Sequence, residues 1–426
     1  METGRLEFEK RFWLSNSTSV LKNGQRYLLA NRNDKRVFLN SEVYGILDEA
    51  IEKGWSVQKL LDIFDTKEDR EYLLDVLDKL LGAGIIQQKE DSEQYEYETA
   101  SLILTDRCNL SCIHCCQNAN AKSNTAELKT EEWLHIIDKI KQMNIESVTV
   151  TGGETLIRED MERISRHLRT NYGGHLILIT NGTLINSRNV KYLTEVYNHI
   201  SISMDGCNEE LTGFIRGKGV YKKVIEAINL LHGEGYKSIS LSAILPNSLD
   251  VEKEFEILCE KLGVKPEIRC ISKKGRGGDN YALMQEKFSE YIKRNKYQEY
   301  VFEESEAAAN LNACSAVKGT NLTIGPSGWV YPCNLLQSDM YKQGTIDEIV
   351  ENKELFKLAQ FKGTICEHCC VNVFCWSCMS DYDVMRDDEK QLLERCRLKK
   401  GNLMKWIWGE ENADNGVDNS TVQPKM

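Results

Sequence analysis

The sequence lacks an excess of basic charge: 54 Lys and Arg stand against 65 Asp and Glu, for a formal net charge of -11. An acidic chain is repelled by nucleic-acid phosphates and by anionic membranes unless a local basic patch reverses the sign, and no such patch is present. Long hydrophobic runs are also missing. No stretch approaches the roughly 20 apolar residues that span a bilayer, and the opening METGRLEFEKRFW holds no apolar core of signal-peptide length. A cytoplasmic protein with neither a membrane nor a nucleic-acid partner is expected. The hydrophobic fraction of 41% and charged fraction of 28% are those of a globular chain, and 426 residues suffice for two or three units. Only residues 410–426 are polar and patternless enough to predict a disordered tail.

Cysteine is what the chain has in abundance, with fifteen residues. A reducing compartment keeps thiols from pairing as disulfides, so metal ligation is the better reading. The cysteines cluster at 108–116 and 314–396, with only Cys207, Cys259 and Cys270 between.

The alternation of short apolar strands and helices sets the organisation. Residues 1–90 read as a small α+β unit: strands at 26–32 and 35–40 with a turn at 31–34, helices near 41–53, 56–64 and 68–82, and a closing strand at 85–88. A polar linker at 91–99 follows. Strands at 101–105, 147–151, 176–180, 201–204, 238–245 and 267–270 alternate with helices near 130–143, 157–170, 187–197, 220–233 and 250–262. This spacing predicts an α/β fold, a parallel sheet rolled toward a partial barrel with sites at the strand C-termini. Gly-rich 273–280 reads as a break, a helical acidic stretch continues to about 309, and the region beyond is poor in pattern and dependent on metal for stability.

Directly after the first of these parallel strands comes Cys108-Asn-Leu-Ser-Cys112-Ile-His-Cys115. Three thiolates on one loop can hold three irons of a cubane and leave the fourth open; a zinc site completed by His114 is the alternative. TDRCNLSCIHC resembles the signature loop of the radical S-adenosylmethionine (SAM) superfamily, in which the open iron binds the amino and carboxylate groups of SAM. Gly152-Gly153-Glu154 after the second strand matches that family's GGE motif, where two glycines permit close backbone approach and a carboxylate suits an ammonium. Ser203, in SMDG, and Arg216, in GFIRGKG, stand where family members contact SAM. Cys116 reads as a small buried thiol, and Asn181-Gly182 as a turn outside the site.

The second cysteine group is the more specific. Cys314, Gly328-x4-Cys333, Cys366-x2-Cys369-x5-Cys375-x2-Cys378 and Cys396 resemble the SPASM extension of radical SAM enzymes, with two residues instead of the commoner three before Cys378. That resemblance implies two auxiliary [4Fe–4S] clusters, three in all. Cys366, Cys369, Cys375 and Cys396 would hold the outer one; Cys314, Cys333 and Cys378 the inner one, with an open iron or Cys370 as fourth ligand. Zinc accepts the same thiolates.

Residues 1–90 resemble the PqqD-like RiPP recognition element, in which a precursor-peptide leader adds as a strand; the matching surfaces are 35–40 and 68–82. A DNA-reading winged helix is the rival, but the unit's fourteen basic and sixteen acidic residues oppose phosphate binding. The resemblance thus implies a partial (β/α)6 TIM barrel at 100–309 between an N-terminal winged-helix-like domain and a C-terminal SPASM domain at 310–400. It implies an oxidoreductase that uses SAM, three clusters and a flavodoxin or ferredoxin reductant to crosslink a ribosomal peptide, a thioether being the first expectation. A carbon–carbon crosslinking maturase is the alternative, and an iron–sulfur DNA-binding regulator the reading from another class. No catalytic base is assignable.

Overall fold

The computed structural model describes residues 6–15, 18–31, 35–88, 97–122, 126–299, 314–352, 361–376 and 378–409. Most of the expected turn at 31–34, most of the linker, the end of the acidic stretch and the expected tail lie outside these. The chain divides into two compact units: 1–93 with 305–318 and 359–426, and 94–304 with 319–358.

In the first unit, β1 (Trp13–Leu14) pairs antiparallel with β5 (Ile86–Gln87), while β2 (Ser19–Asn23), β3 (Arg26–Ala30) and β4 (Arg36–Asn40) form an antiparallel sheet in that order. Strand β2 is an addition to the sequence reading, because SVLKN has too little alternation to stand out; pairing Leu21 with Leu28 of β3 defines it. Helices follow at Ser41–Glu52, Val57–Leu61 and Lys67–Gly82. Each starts on a side chain that accepts an N–H of the first turn: Asn40 from Val43, Ser56 from Lys59 and Thr66 from Asp69.

The strand period of two sends β3 into two cores. Leu29 joins Leu39, Leu47, Leu60, Leu77 and Leu80 beneath the helices. Leu28 and Ala30 face the other way and join Leu21, Val371, Phe374, Met404 and Trp408. The C-terminal helix Glu389–Trp408 therefore packs on the N-terminal sheet, and Arg26 Nη1 donates to the carbonyl of Trp408 at 2.9 Å.

The second unit holds a nine-stranded sheet: β6 (Thr99–Ile103), β7 (Ser147–Thr151), β8 (His175–Thr180), β9 (His199–Ser203), β10 (Ile239–Ala243), β11 (Lys265–Ile268), β12 (Asn321–Ile324), β13 (Trp329–Tyr331) and β14 (Gly344–Thr345). Their order is β11-β10-β9-β8-β7-β6-β12-β13-β14, parallel from β11 through β12 and antiparallel beyond. The helices at Thr130–Ile140, Met161–Asn171, Val190–Val196, Val220–Gly233 and Leu249–Leu262 fill the expected connections. An added helix, Glu209–Arg216, is capped by Asn208 and carries Arg216 at its end. Among the described residues, no helix is long and apolar enough to cross a membrane.

Residues 319–352 thus extend the parallel sheet, although the sequence pattern ran them together with the last cysteines. Strand β12 covers the edge that β6 would otherwise expose, and Leu322 and Ile324 are fully buried in the same core as Leu102 and Val148. Replacing Ile324 by Ala is expected to lower stability by about 2–5 kcal/mol in chemical denaturation of the full chain; a change under about 0.5 kcal/mol would contradict this core role.

Candidate metal and cofactor site

The three thiols of the first loop gather at the C-terminal end of β6, where the parallel sheet leaves its strand ends open. Cys108 and Cys112 are buried and Cys115 half-buried. Burial pushes the Cys112 thiol up to about 11, opposed by the Arg216 guanidinium and reinforced by Asp205, Cys108 and Cys115. Burial also raises Cys108, while Leu110 N–H at 3.4 Å and Asn181 Nδ2 at 3.9 Å favour its thiolate. Asn181, which reads as a turn residue in sequence, is therefore part of this environment.

The loop is braced from two sides. Gly153 N–H donates to Thr105 O at 2.7 Å and Glu154 N–H to Arg107 O at 2.9 Å. A Cβ on Gly152 would lie 2.6 Å from Thr105 O, and one on Gly153 would lie 2.3 Å from Arg107 O, so only glycine permits this approach. From the opposite side, Arg276 Nε donates to Cys112 O at 2.8 Å and its Nη2 to Ala119 O at 2.7 Å. Residues 273–280, a break by sequence, contain a short helix at Arg276–Asp279 pressed onto this loop. A Cβ on Gly277 would meet His114 O at 2.8 Å, which explains the glycine.

Glu154 is 1% exposed, and its carboxylate accepts from Thr180 Oγ1 at 2.8 and 2.9 Å, Asn181 N–H at 2.7 Å and Leu156 N–H at 3.1 Å. Burial raises its pKa, and these hydrogen bonds oppose the rise. Ser203 ends β9. Two residues later Asp205, also 1% exposed, places Oδ2 2.7 Å from Arg216 Nε and 3.1 Å from His114 Nε2. Arg216 Nη1 stands 4.0 Å from Cys112 Sγ. Sequence reasoning missed Asp205, Arg276 and His114's place in this pairing, although Asp205 lies within the SMDG it quoted.

This chain's residues fit a cluster with SAM. Three thiols face one another closely enough to influence each other, Gly152 and Gly153 pack the turn after β7 directly against the backbone of Thr105 and Arg107, and His114 Nδ1 is buried without a hydrogen-bond partner. Among the described residues no group of three or more His, Cys, Asp or Glu is placed to hold a metal ion directly.

In the same unit Cys116 is pushed up to about 11 by burial, with Cys115 and Cys333 adding to the rise. In the other unit, burial raises Cys366 to about 12, followed by contributions from Cys369, Cys375 and Cys396. Cys378 is raised by burial, with Asp381 and Cys314 contributing. Cys370 donates a hydrogen bond that lowers Cys369. Within each unit the structure thus groups Cys108, Cys112 and Cys115; Cys366, Cys369, Cys375 and Cys396; and Cys314 with Cys378.

Parallel strands with a tri-cysteine loop at one strand end and a close-packed glycine pair at the next form an α/β domain that gathers thiols of the kind that ligate iron at its strand ends. Residues 102–259 match the family model of the Radical SAM superfamily. These residues form a radical SAM domain, and that family implies SAM and a [4Fe–4S] cluster.

The chain is 26% identical over 276 residues to the mycofactocin maturase MftC of Mycolicibacterium smegmatis, covering 60% of this chain and 70% of MftC. It is 30% identical over 180 residues to the AdoMet-dependent heme synthase of Methanosarcina barkeri, covering 42% and 51%. In fold it is similar to Streptococcus suis SuiB, with a TM-score of 0.50 at 14% identity over 84% of this chain and 94% of SuiB.

Replacing Gly153 by Ala is expected to weaken SAM binding at least about tenfold, about 1.4 kcal/mol, in equilibrium dialysis of the reconstituted protein. Unchanged affinity would show that the cradle is not used.

Proposed function

We propose that this enzyme matures a ribosomally synthesised precursor peptide by installing an intramolecular crosslink, a cysteine thioether of the sactipeptide or ranthipeptide type. The observation that carries the reading is the cluster-and-cradle site in a chain whose relatives over 60% of its length are named maturases. SAM beside a reduced cluster would supply the radical chemistry that removes a hydrogen atom from the peptide. Cys108, Cys112 and Cys115 hold that cluster, and Gly152, Gly153, Glu154, Ser203 and Arg216 surround the cofactor. Because protein donors occupy the Glu154 carboxylate, its part is to fix the loop as well as to favour an ammonium.

The spacing of the later cysteines supports two further clusters, one on Cys366, Cys369, Cys375 and Cys396, the other on Cys314, Cys333 and Cys378. We read β6 to β11 as a partial (β/α)6 barrel, 310–400 as the SPASM extension and residues 1–90 as the leader-recognition element. Strand β4 ends its sheet among the described residues, and its Leu39 shares a core with Leu73 and Leu77 of helix Lys67–Gly82. A leader strand added beside β4 would run along that helix. Electrons would come from a flavodoxin or ferredoxin.

Anaerobic reconstitution is expected to load about twelve irons per chain and to yield 5′-deoxyadenosine from SAM under reductant. With the cognate peptide, mass spectrometry should find a pair of hydrogens lost and one cysteine closed to alkylation. A hydrogen pair lost with every cysteine still alkylated would mean a carbon–carbon bond, and zinc without SAM cleavage would sink the reading.

A further inference from the structure

The charged groups behind Cys112 have a single anchor. Asp205 follows β9 and is buried, and its two oxygens do different work. Oδ1 accepts the N–H of Ile244, just past β10, at 2.7 Å and so locks the carboxylate to the neighbouring strand end. Oδ2 faces Arg216 Nε at 2.7 Å and His114 Nε2 at 3.1 Å. Arg216 Nη2 lies 3.4 Å from His114 Nε2, so the three side chains form one closed group. The Arg216 and His114 side chains are 10% and 11% exposed, so solvent screens their fields little. Arg216 reaches Cys112 Sγ at 4.0 Å with Nη1, the edge of the guanidinium that Asp205 does not hold.

We propose that Asp205 is a positioning residue for the radical SAM cluster: by holding Arg216 and His114 it fixes the charge that faces the Cys112 thiolate and so sets that cluster's reduction potential. The inference rests on the assignment of Cys108, Cys112 and Cys115 as ligands. A cluster becomes more negative on reduction, so a nearby fixed guanidinium favours the reduced form and a nearby carboxylate opposes it. Arg216 is the closer of the two to the sulfur; Asp205 attenuates its field and keeps it in place. Asn at 205 retains an acceptor for Arg216 and for Ile244 N–H but removes the negative charge. Met at 216 keeps the length of the side chain and removes the positive charge.

The test uses the full reconstituted chain, with iron counted and redox titration followed by electron paramagnetic resonance without SAM. The signal that SAM perturbs belongs to this cluster. D205N is expected to shift its midpoint to more positive potential, R216M to more negative potential, and R216K to remain nearer wild type than R216M. A residue that only supports the fold would change iron content or melting temperature and leave the midpoint in place. Loaded variants with an unmoved midpoint, or both charge-removing variants shifting in the same direction, would overturn the inference. Loss of the SAM-perturbed signal from the wild-type protein would overturn the site assignment instead. Should D205N fail to load iron, the opposed R216M and R216K results decide whether the guanidinium sets the potential, and unmoved values there overturn the proposal.

Discussion

The backbone contact between the first and second parallel strand ends is the constraint on which this enzyme's site depends. Gly153 N–H and Glu154 N–H donate to Thr105 O and Arg107 O, at a separation that no Cβ could tolerate. That contact holds the start of the cysteine loop against the turn that follows β7, so Cys108 and the Gly152–Gly153 turn share one origin. The remaining supports are arranged around it: Glu154 ties the cradle to the end of β8, Asp205 ties Arg216 to the end of β10, and Arg276 closes the loop from the far side. Glu154 and Arg276 are held by hydrogen bonds and Asp205 and Arg216 by an ion pair, so the loop's shape is carried by polar contacts as well as by apolar packing.

The sheet beneath supplies the rigidity. The apolar residues of strands β6 to β10, among them Leu102, Val148, Leu178, Ile200 and Leu241, share one core, with Ser and Thr alternating between them in β7, β9 and β10. Strand β12 removes the free edge at β6, beside the very strand that launches the cysteine loop. A loop on a strand with both neighbours in place moves less than one on a frayed edge. The first unit follows another logic. Its central strand β3 is buried on both faces, and Leu28 shares a core with Val371 and Phe374, which lie between Cys370 and Cys375, while Cys369 and Cys370 pack against that core.

Much of this was legible without coordinates. Six of the seven parallel strands, β6 to β11, and five of their connecting helices follow from the alternation of short apolar segments with helical periodicity, whereas β12 and helix Glu209–Arg216 do not. The tri-cysteine loop and GGE are legible for a chemical reason: thiolate spacing and glycine pairs have few structural alternatives. What was not legible is equally specific. Strand β2 carries too little pattern to announce itself, and Gly-rich 273–280 looks like a break although its Gly277 lets a short helix approach His114. Asn181 looks like a turn residue until the fold brings its amide to Cys108.

The sequence by itself determined the class of chemistry, since which side chains can ligate iron and how many sit on one loop is a property of residue type and spacing. Tertiary structure alone decided which charges face those ligands. Asp205, Arg216 and Arg276 lie about 90 to 165 residues from Cys112 in the chain, and only the parallel strand ends and their loops bring them around that one residue. Spacing is local and can be read along the chain. The field at a buried sulfur is a sum over charges that are near only after folding, and it can be read only in three dimensions.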